Sequence, residues 1–277
     1  LRHFFIYARL TTSYIKKGVW SDSDDTAIHV HLESKYSVLF SKESISDAVV
    51  SVARDHSFNT VKERIESVTW DRKPRAERYF IDYLGAEDNK YTRAITKIWL
   101  TGAVARAYEP GVKFEIVPIL TGKKGIGKST CIKNLYPDKF SDTLKGLGKS
   151  KDDYQQLAGV WLIELGELSA MKSTDIDNVK NFISAQKDDY RESYSRYSTL
   201  HLRKCVLIGS TNNTGFLGDA TGERRFYPIN CGVNEPTKDV IKPDKDDILQ
   251  ILAEAKSWYD GHEPLTPDTE TLAESKK

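Results

Sequence analysis

The chain has 277 residues, of which 39% are apolar and 29% charged, and its formal net charge is +1. Such a chain is expected to be a soluble globular protein with a sizeable core, in one large domain or two moderate ones. Its longest apolar runs, such as VWLI and CVLIG, fall far short of the ~20 residues needed to cross a bilayer.

At the start, LRHFFIYARL has neither an apolar signal-peptide core nor a small-residue cleavage site, so no signal peptide is expected. The chain opens on Leu1 rather than methionine, which suggests a piece of something longer. Residues up to about 40 are ambiguous, with a candidate strand at AIHVHLE. From there to Pro110 the pattern is helical. In SISDAVVSVARD, Ile45, Ala48, Val49, Val52 and Ala53 share one face behind a candidate N-cap at Ser44. AERYFIDYLG stops at Gly85, and YTRAITKIWLTGAVARAYEPG stops at Pro110-Gly111.

Three short apolar runs follow, FEIVPIL, GVWLIEL and KCVLIGSTN, separated by helical or loop sequence. That alternation predicts an α/β domain with a largely parallel sheet. Pro118 is awkward in the first run, because it cannot donate to a central ladder, and predicts a bulge or a strand start there. Between the second and third runs, Ile176, Val179 and Ile183 share a helical face. After Cys231 come a linker, an amphipathic helix in DDILQILAEAKSWYDG, and a polar, proline-broken tail expected to be disordered at its end. The boundaries predicted are a mainly helical region 1–111, an α/β core 112–232 and a helical C-terminal segment 233–277.

The stretch VPILTGKKGIGKSTCIKNLY carries the chemistry. It matches G-x-x-x-x-G-K-[ST], with Gly122, Lys123, Lys124, Gly125, Ile126, Gly127, Lys128, Ser129 and Thr130 as the candidate phosphate-binding segment. Glycines let backbone N–H groups converge on phosphate oxygens, and the following helix turns its positive end toward them. Lys128 would bridge the β- and γ-phosphates of ATP, and the Ser129 hydroxyl would sit on magnesium. Such a site needs an acid on a neighbouring strand. VWLIELGEL offers Glu164 for the magnesium shell and Glu167 for the attacking water, though the swapped assignment is also open. Asn212, just past the third run, is placed to meet the γ-phosphate or the lytic water. Arg224 and Arg225 stand in tandem in TGERRFYPI and cannot share a face. One of them is a candidate arginine finger; a pair of surface arginines is the plain alternative.

The segment AQKDDYRESYSRYSTLHLRK interleaves Lys187, Arg191, Arg196, Arg203 and Lys204 with Tyr190, Tyr194 and Tyr197. Cations for a backbone and rings for stacking suit a sequence-tolerant groove for single-stranded DNA. A solvated hairpin whose tyrosines pack on the sheet fits the same residues, and Arg191 could instead reach the nucleotide.

Together, LTGKKGIGKST, GVWLIELGEL, KDDYRESYSRY, KCVLIGSTNN and TGERRFYPI resemble the virulence-associated protein E family. These are P-loop proteins of phages and mobile genetic islands, similar to superfamily 3 replicative helicases. The resemblance covers Phe114 to Cys231 and extends more loosely to FNTVKERIESVTWDRKPR upstream and ILAEAKSWYDG downstream. It implies a superfamily 3 or AAA+-like fold and an ATP- and Mg²⁺-dependent motor in a bacterial cytoplasm. It further implies a homo-oligomeric, usually hexameric ring, with Arg224 or Arg225 acting on a neighbour's nucleotide. Partners would be single-stranded or forked DNA, replication-origin DNA and an upstream primase-like or initiator region, with no membrane. The sequence lacks that upstream region itself, so primer synthesis is not inferred, and its separated acids depart from the usual adjacent pair. Two other functions fit the loop: a nucleotide-gated interaction protein, and a P-loop kinase.

Other features carry less. His29 and His31 would share a strand face but have no third metal ligand nearby. KGLGKSKDD resembles a second phosphate loop without its spacing, and DRKPR reads as a solvated turn. Cys131, Cys205 and Cys231 are odd in number and without a CxxC pair, which suits a reducing compartment; Cys131 is expected to be buried on the helix after the loop.

Overall fold

The computed structural model describes residues 21–144, 153–154, 156–166, 180–190, 199–212 and 225–274. These fall into two compact units, one reaching to Asn59 and the other starting at Thr60. The boundaries expected at 111 and 232 lie inside the second unit, where helices from both sides of the sheet sequence share one core.

In the first unit, AIHVHLE is not a strand. It lies within helix α1, Asp22–Tyr36. Local capping decides this. Ser21 and Asp24 form a capping box, and Asp22, Asp24 and Asp25 place negative charge at the positive end of the helix. His29 and His31, about 200° apart on a helix, therefore do not share a face; His29 instead approaches Glu33 at 3.5 Å. Helix α2, Lys42–Asp55, begins one turn earlier than expected, because the Ser41 hydroxyl accepts the Ser44 N–H at 3.0 Å.

The second unit opens with α3 (Thr60–Ile65), α4 (Tyr79–Leu84) and α5 (Lys90–Tyr108). Gly85 ends α4 in the left-handed conformation, and Asn89 caps α5. The strands are β1 (Val117–Thr121), β2 (Phe140–Ser141), β3 (Leu162–Gly166), β4 (Lys187–Tyr190), β5 (Thr199–Leu202), β6 (Val206–Thr211) and β7 (Phe226–Asn230). Helix α6 (Lys128–Leu135) follows β1; α7 (Lys245–Asp260) and α8 (Thr269–Glu274) close the chain. Strands β2-β3-β6-β1-β7 form one parallel sheet in that order, and β4-β5 is a separate antiparallel hairpin. The fold is thus α/β with a parallel central sheet.

Both sheet faces are covered, as a parallel sheet requires. Leu120, Leu162, Ile208 and Ile229 pack with α4, α5, α6 and α7, while Val117, Ile119, Ile163 and Leu207 pack with Phe182 and Ile183. Ile183 is in a helical stretch, 180–184; Ile176 and Val179 lie outside the described residues. Pro118 is the second residue of β1, at the strand's start as one of the two expectations had it, and no bulge forms there. Val117 N–H points to β7, where it meets Arg225 O at 2.9 Å, so position 118 faces β6. The parallel ladder would direct an amide there to Leu207 O. Trp99 of α5 supplies the missing donor, its indole N–H reaching that carbonyl at 2.9 Å.

The DRKPR turn is exposed over 71–74, as expected of a solvated turn, but it is also anchored: Arg75 pairs with Asp71 at 2.7 Å, and the N–H groups of Arg75 and Ala76 donate to Glu254 of α7. Part of the polar tail is helical, over Thr269–Glu274, with Asp268 accepting the Thr271 N–H at 2.8 Å and Leu272 packed on the core; its end, 275–277, lies outside the described residues. Among the described residues, no helix is long and apolar enough to cross a membrane.

Candidate functional site

Strands β1, β3 and β6 lie side by side, and the loop after β1 connects their C-terminal ends to α6. The loop's shape depends on glycine. Gly122 and Gly127 have φ of 148° and 89°. A Cβ at Gly122 would come within 2.6 Å of Cys231 O, and one at Gly127 within 2.7 Å of a Val240 methyl. Positive φ and these close approaches together leave no room for a side chain. Gly127 is also the N-cap of α6 and provides no side-chain cap, so the first-turn N–H groups there face the loop without one.

Lys128 opens α6 and folds back into the loop. Its ammonium donates to Gly122 O at 2.8 Å, Lys123 O at 3.0 Å and Asn212 Oδ1 at 3.1 Å. It is 8% exposed, and burial lowers its pKa from the usual lysine value, offset by Cys231 and Glu164. Lys123, Lys124 and Gly125 are exposed at the loop tip, Ile126 packs partly on the core, and Thr130 is half-buried in the first turn of α6.

Ser129 is exposed, and its hydroxyl donates to Glu164 Oε1 at 2.8 Å. Glu164 is the third residue of β3 and only 2% exposed. Its second oxygen, Oε2, has no hydrogen-bond partner. An unsatisfied buried carboxylate oxygen is costly and is found where a donor or cation is expected. Sequence separates Lys128, Ser129, Glu164 and Asn212 by up to 84 positions; the sheet order brings them to one place. Glu167 and Arg224 lie outside the described residues.

Arg225 stands elsewhere. It precedes β7, whose register pairs Val117 with Phe226 and Thr121 with Asn230. It is therefore at the opposite end of β1 from the loop, about 20 Å away along the strand direction. There its Nε donates to Ser184 Oγ at 3.1 Å.

The candidate DNA-contacting residues divide. Lys187 and Lys204 are exposed. Tyr190 belongs to β4, opposite Thr199 of β5. Arg191, Tyr194, Arg196 and Tyr197 lie outside the described residues, as does 145–152 of the second basic loop. Arg203 corrects the expectation. It is 5% exposed, donates to Asp188 at 2.8 and 2.7 Å and to Phe182 O, and stacks over the Phe182 ring. A guanidinium so enclosed clasps the hairpin to the core and is not available to a phosphate backbone.

Sequence reading passed over Val240 and its neighbours, which it took for a linker. The segment after β7 runs beside the loop, and Asn134 of α6 donates to Val240 O at 2.8 Å. Only the close packing of Gly127 marks it, and that is invisible in one sequence.

A parallel α/β sheet gathering a lysine, a serine, a buried glutamate and an asparagine at one end defines the class of the second unit. The virulence-associated protein E-like domain matches residues 65–277, most of the chain, and the chain belongs to that family. No curated protein matches it. Among solved structures it is similar to "The A form apo structure of NrS-1 C terminal region-CTR", at 17% identity and TM-score 0.46, covering 75% of this chain and 50% of that one. It is also similar to the A form apo structure of that region over 305–718, at 15% identity and TM-score 0.46, covering 75% and 49%. The apo structure of the same region gives 16% identity and TM-score 0.46, covering 77% and 50%. The chain spans about half the length of these proteins.

Proposed function

We propose that the second unit is a P-loop ATPase of superfamily 3 type that drives movement along single-stranded or forked DNA during replication of a phage or mobile element. The observation that carries the reading is the Ser129–Glu164 contact at 2.8 Å with Glu164 Oε2 left bare beside Lys128. That donor set fits ATP with Mg²⁺: a hydroxyl and a carboxylate are hard oxygen ligands, and the Lys128 ammonium stands near the carboxylate as a cation for phosphate. ATP, when bound, supplies the phosphoryl group whose transfer to water drives the cycle. Lys128 would hold the negative charge of the terminal phosphates. Ser129 and Glu164 would hold the metal, and Asn212, already bonded to Lys128, would orient the water. Glu167 is the proposed base.

Arg225 cannot serve its own loop from the far end of β1. A ring of copies, hexameric by analogy with the superfamily, gives it or Arg224 a neighbour's triphosphate to stabilise. The hairpin β4-β5 is the proposed DNA loop, with Lys187, Lys204 and the residues between its strands in contact with the strand; Arg203 is excluded. A second reading, ATP-gated protein interaction without unwinding, is favoured by the outward face of that hairpin. There Leu200 and Leu202 are 56% and 50% exposed, which suits a protein contact as well as a nucleic acid.

The test is Lys128→Ala with the fold checked by circular dichroism. ATP turnover is expected to fall by about 10²–10³ or more, the loss typical of removing one charge-stabilising donor, and single-stranded DNA is expected to stimulate the wild type. Wild-type ATPase activity that Lys128→Ala does not reduce removes the nucleotide site. Turnover that ignores DNA, with no strand displacement on a forked duplex, favours the interaction reading.

A further inference from the structure

Segment 231–244 leaves β7 and reaches α7 as a strap held along its length. The Gly232 N–H donates to Leu84 O at 2.8 Å, those of Val233 and Asn234 to Gly85 O at 2.9 Å, and those of Thr237 and Lys238 to Asp82 O at 2.9 and 3.0 Å. The Lys238 ammonium pairs with Asp247 at 2.7 Å. Val240 is wedged against Gly127 and tied to Asn134 of α6. The next residue, Ile241, is 68% exposed, while its own N–H is fixed on Asp239 Oδ1 at 2.7 Å. A lone exposed aliphatic group is ordinary on a protein surface. This one is held by the strap beside a loop that faces a buried acid with one bare oxygen, and that combination calls for a ligand with both charge and an apolar part.

On the nucleotide reading, Lys128 would meet the terminal phosphates and the first turn of α6, at Thr130, the inner one. The nucleoside would then leave over the helix face that Thr130 shares with Asn134, four positions on. Val240 is bonded to that face, and Ile241 is its outward neighbour. We infer that Ile241 is a shelf for the nucleobase of the bound nucleotide, its side chain covering one face of the ring. The inference rests on the nucleotide reading given above. A base has a broad apolar face, and covering it removes that face and the Ile241 side chain from water together. Because the strap is already ordered, little conformational freedom is lost on contact. A surface of this kind distinguishes a nucleotide from a bare polyphosphate and does not read the base edges.

The experiment compares equilibrium binding of ATP and of inorganic tripolyphosphate, each with magnesium, to the whole chain. Ile241→Ala is expected to weaken ATP about tenfold through lost apolar contact, to leave tripolyphosphate within about twofold, and to be reversed by Ile241→Leu. Unchanged ATP affinity in Ile241→Ala overturns the shelf, and so does an equal loss for both ligands. Lys128→Ala is expected to lose both ligands, which keeps the two sites separate. A wild-type chain that binds neither ligand overturns the nucleotide reading, and the shelf falls with it; ATP binding with a normal Ile241→Ala variant removes the shelf alone.

Discussion

Glu164 on β3 and Glu254 on α7 are each 2% exposed, yet their surroundings treat the two carboxylates differently. Glu254 accepts the N–H groups of Arg75 and Ala76 at 2.7 and 2.8 Å and so fixes the segment ahead of α4 to α7. Glu164 accepts one hydroxyl and leaves an oxygen bare. The cations divide in the same way. Arg203 is enclosed by a carboxylate, a carbonyl and a ring, whereas Lys128 donates to three neutral oxygens. Burial alone therefore does not distinguish scaffold from site in this protein: the two carboxylates differ in an oxygen left bare, and the two cations in whether a charged partner faces them.

The largest expected effect tests the scaffold side. Arg203→Ala leaves Asp188 buried and unpaired, and is expected to lower unfolding free energy by about 3–5 kcal/mol in urea titration. Stability unchanged, with weaker binding of single-stranded DNA, would return Arg203 to the nucleic-acid contacts. Glu254→Ala strands two backbone donors and is expected to cost about 2 kcal/mol without changing ATP affinity.

Glu254 also gives the contrast a pH dependence. Burial raises its pKa above the ordinary 4.5, against the lowering effect of the two N–H groups. The native state then binds its proton more tightly than the unfolded chain does, so wild-type stability falls as pH rises from 4.5 through the raised value. Glu254→Gln keeps an acceptor and has no charge to form. Its Tm relative to wild type is expected to rise between about pH 4 and about pH 7; a Tm difference flat across that range would show that the carboxylate ionises without penalty. The smallest stability effect belongs to the site: Glu164→Gln is expected to change stability by less than about 1 kcal/mol, or raise it. Magnesium affinity in the presence of ATP is expected to drop about tenfold to a hundredfold. A destabilised variant with normal magnesium affinity would place Glu164 with Glu254, among the structural acids.

Local signals were readable in the sequence, and long-range ones only in part. The glycine spacing, the apolar run before Glu164 and the end of β6 just before Asn212 each announced themselves. The parallel sheet then followed from alternation of strand and helix, though its strand order did not. The candidate strand at AIHVHLE shows where periodicity misleads: alternating apolar and polar residues are outweighed by an acidic first turn and the Ser21 cap. Arg203 shows the limit for charge. Its place in a run of cations suggested a surface, and nothing in the sequence marks Asp188 as its partner across the hairpin. Phe226–Asn230, with a proline inside it, was not read as a strand, because an edge position is a property of the assembled sheet.

Trp99 and Pro118 show how a side chain can substitute for the backbone. The carbonyl that an amide at position 118 would have met takes an indole instead, so helix α5 is fastened to β6 at the edge of its seam with β1. Sliding of α5 along β6 must first break this bond. The helix is thus pinned to the extremity of β6 that lies away from Asn212 and the loop.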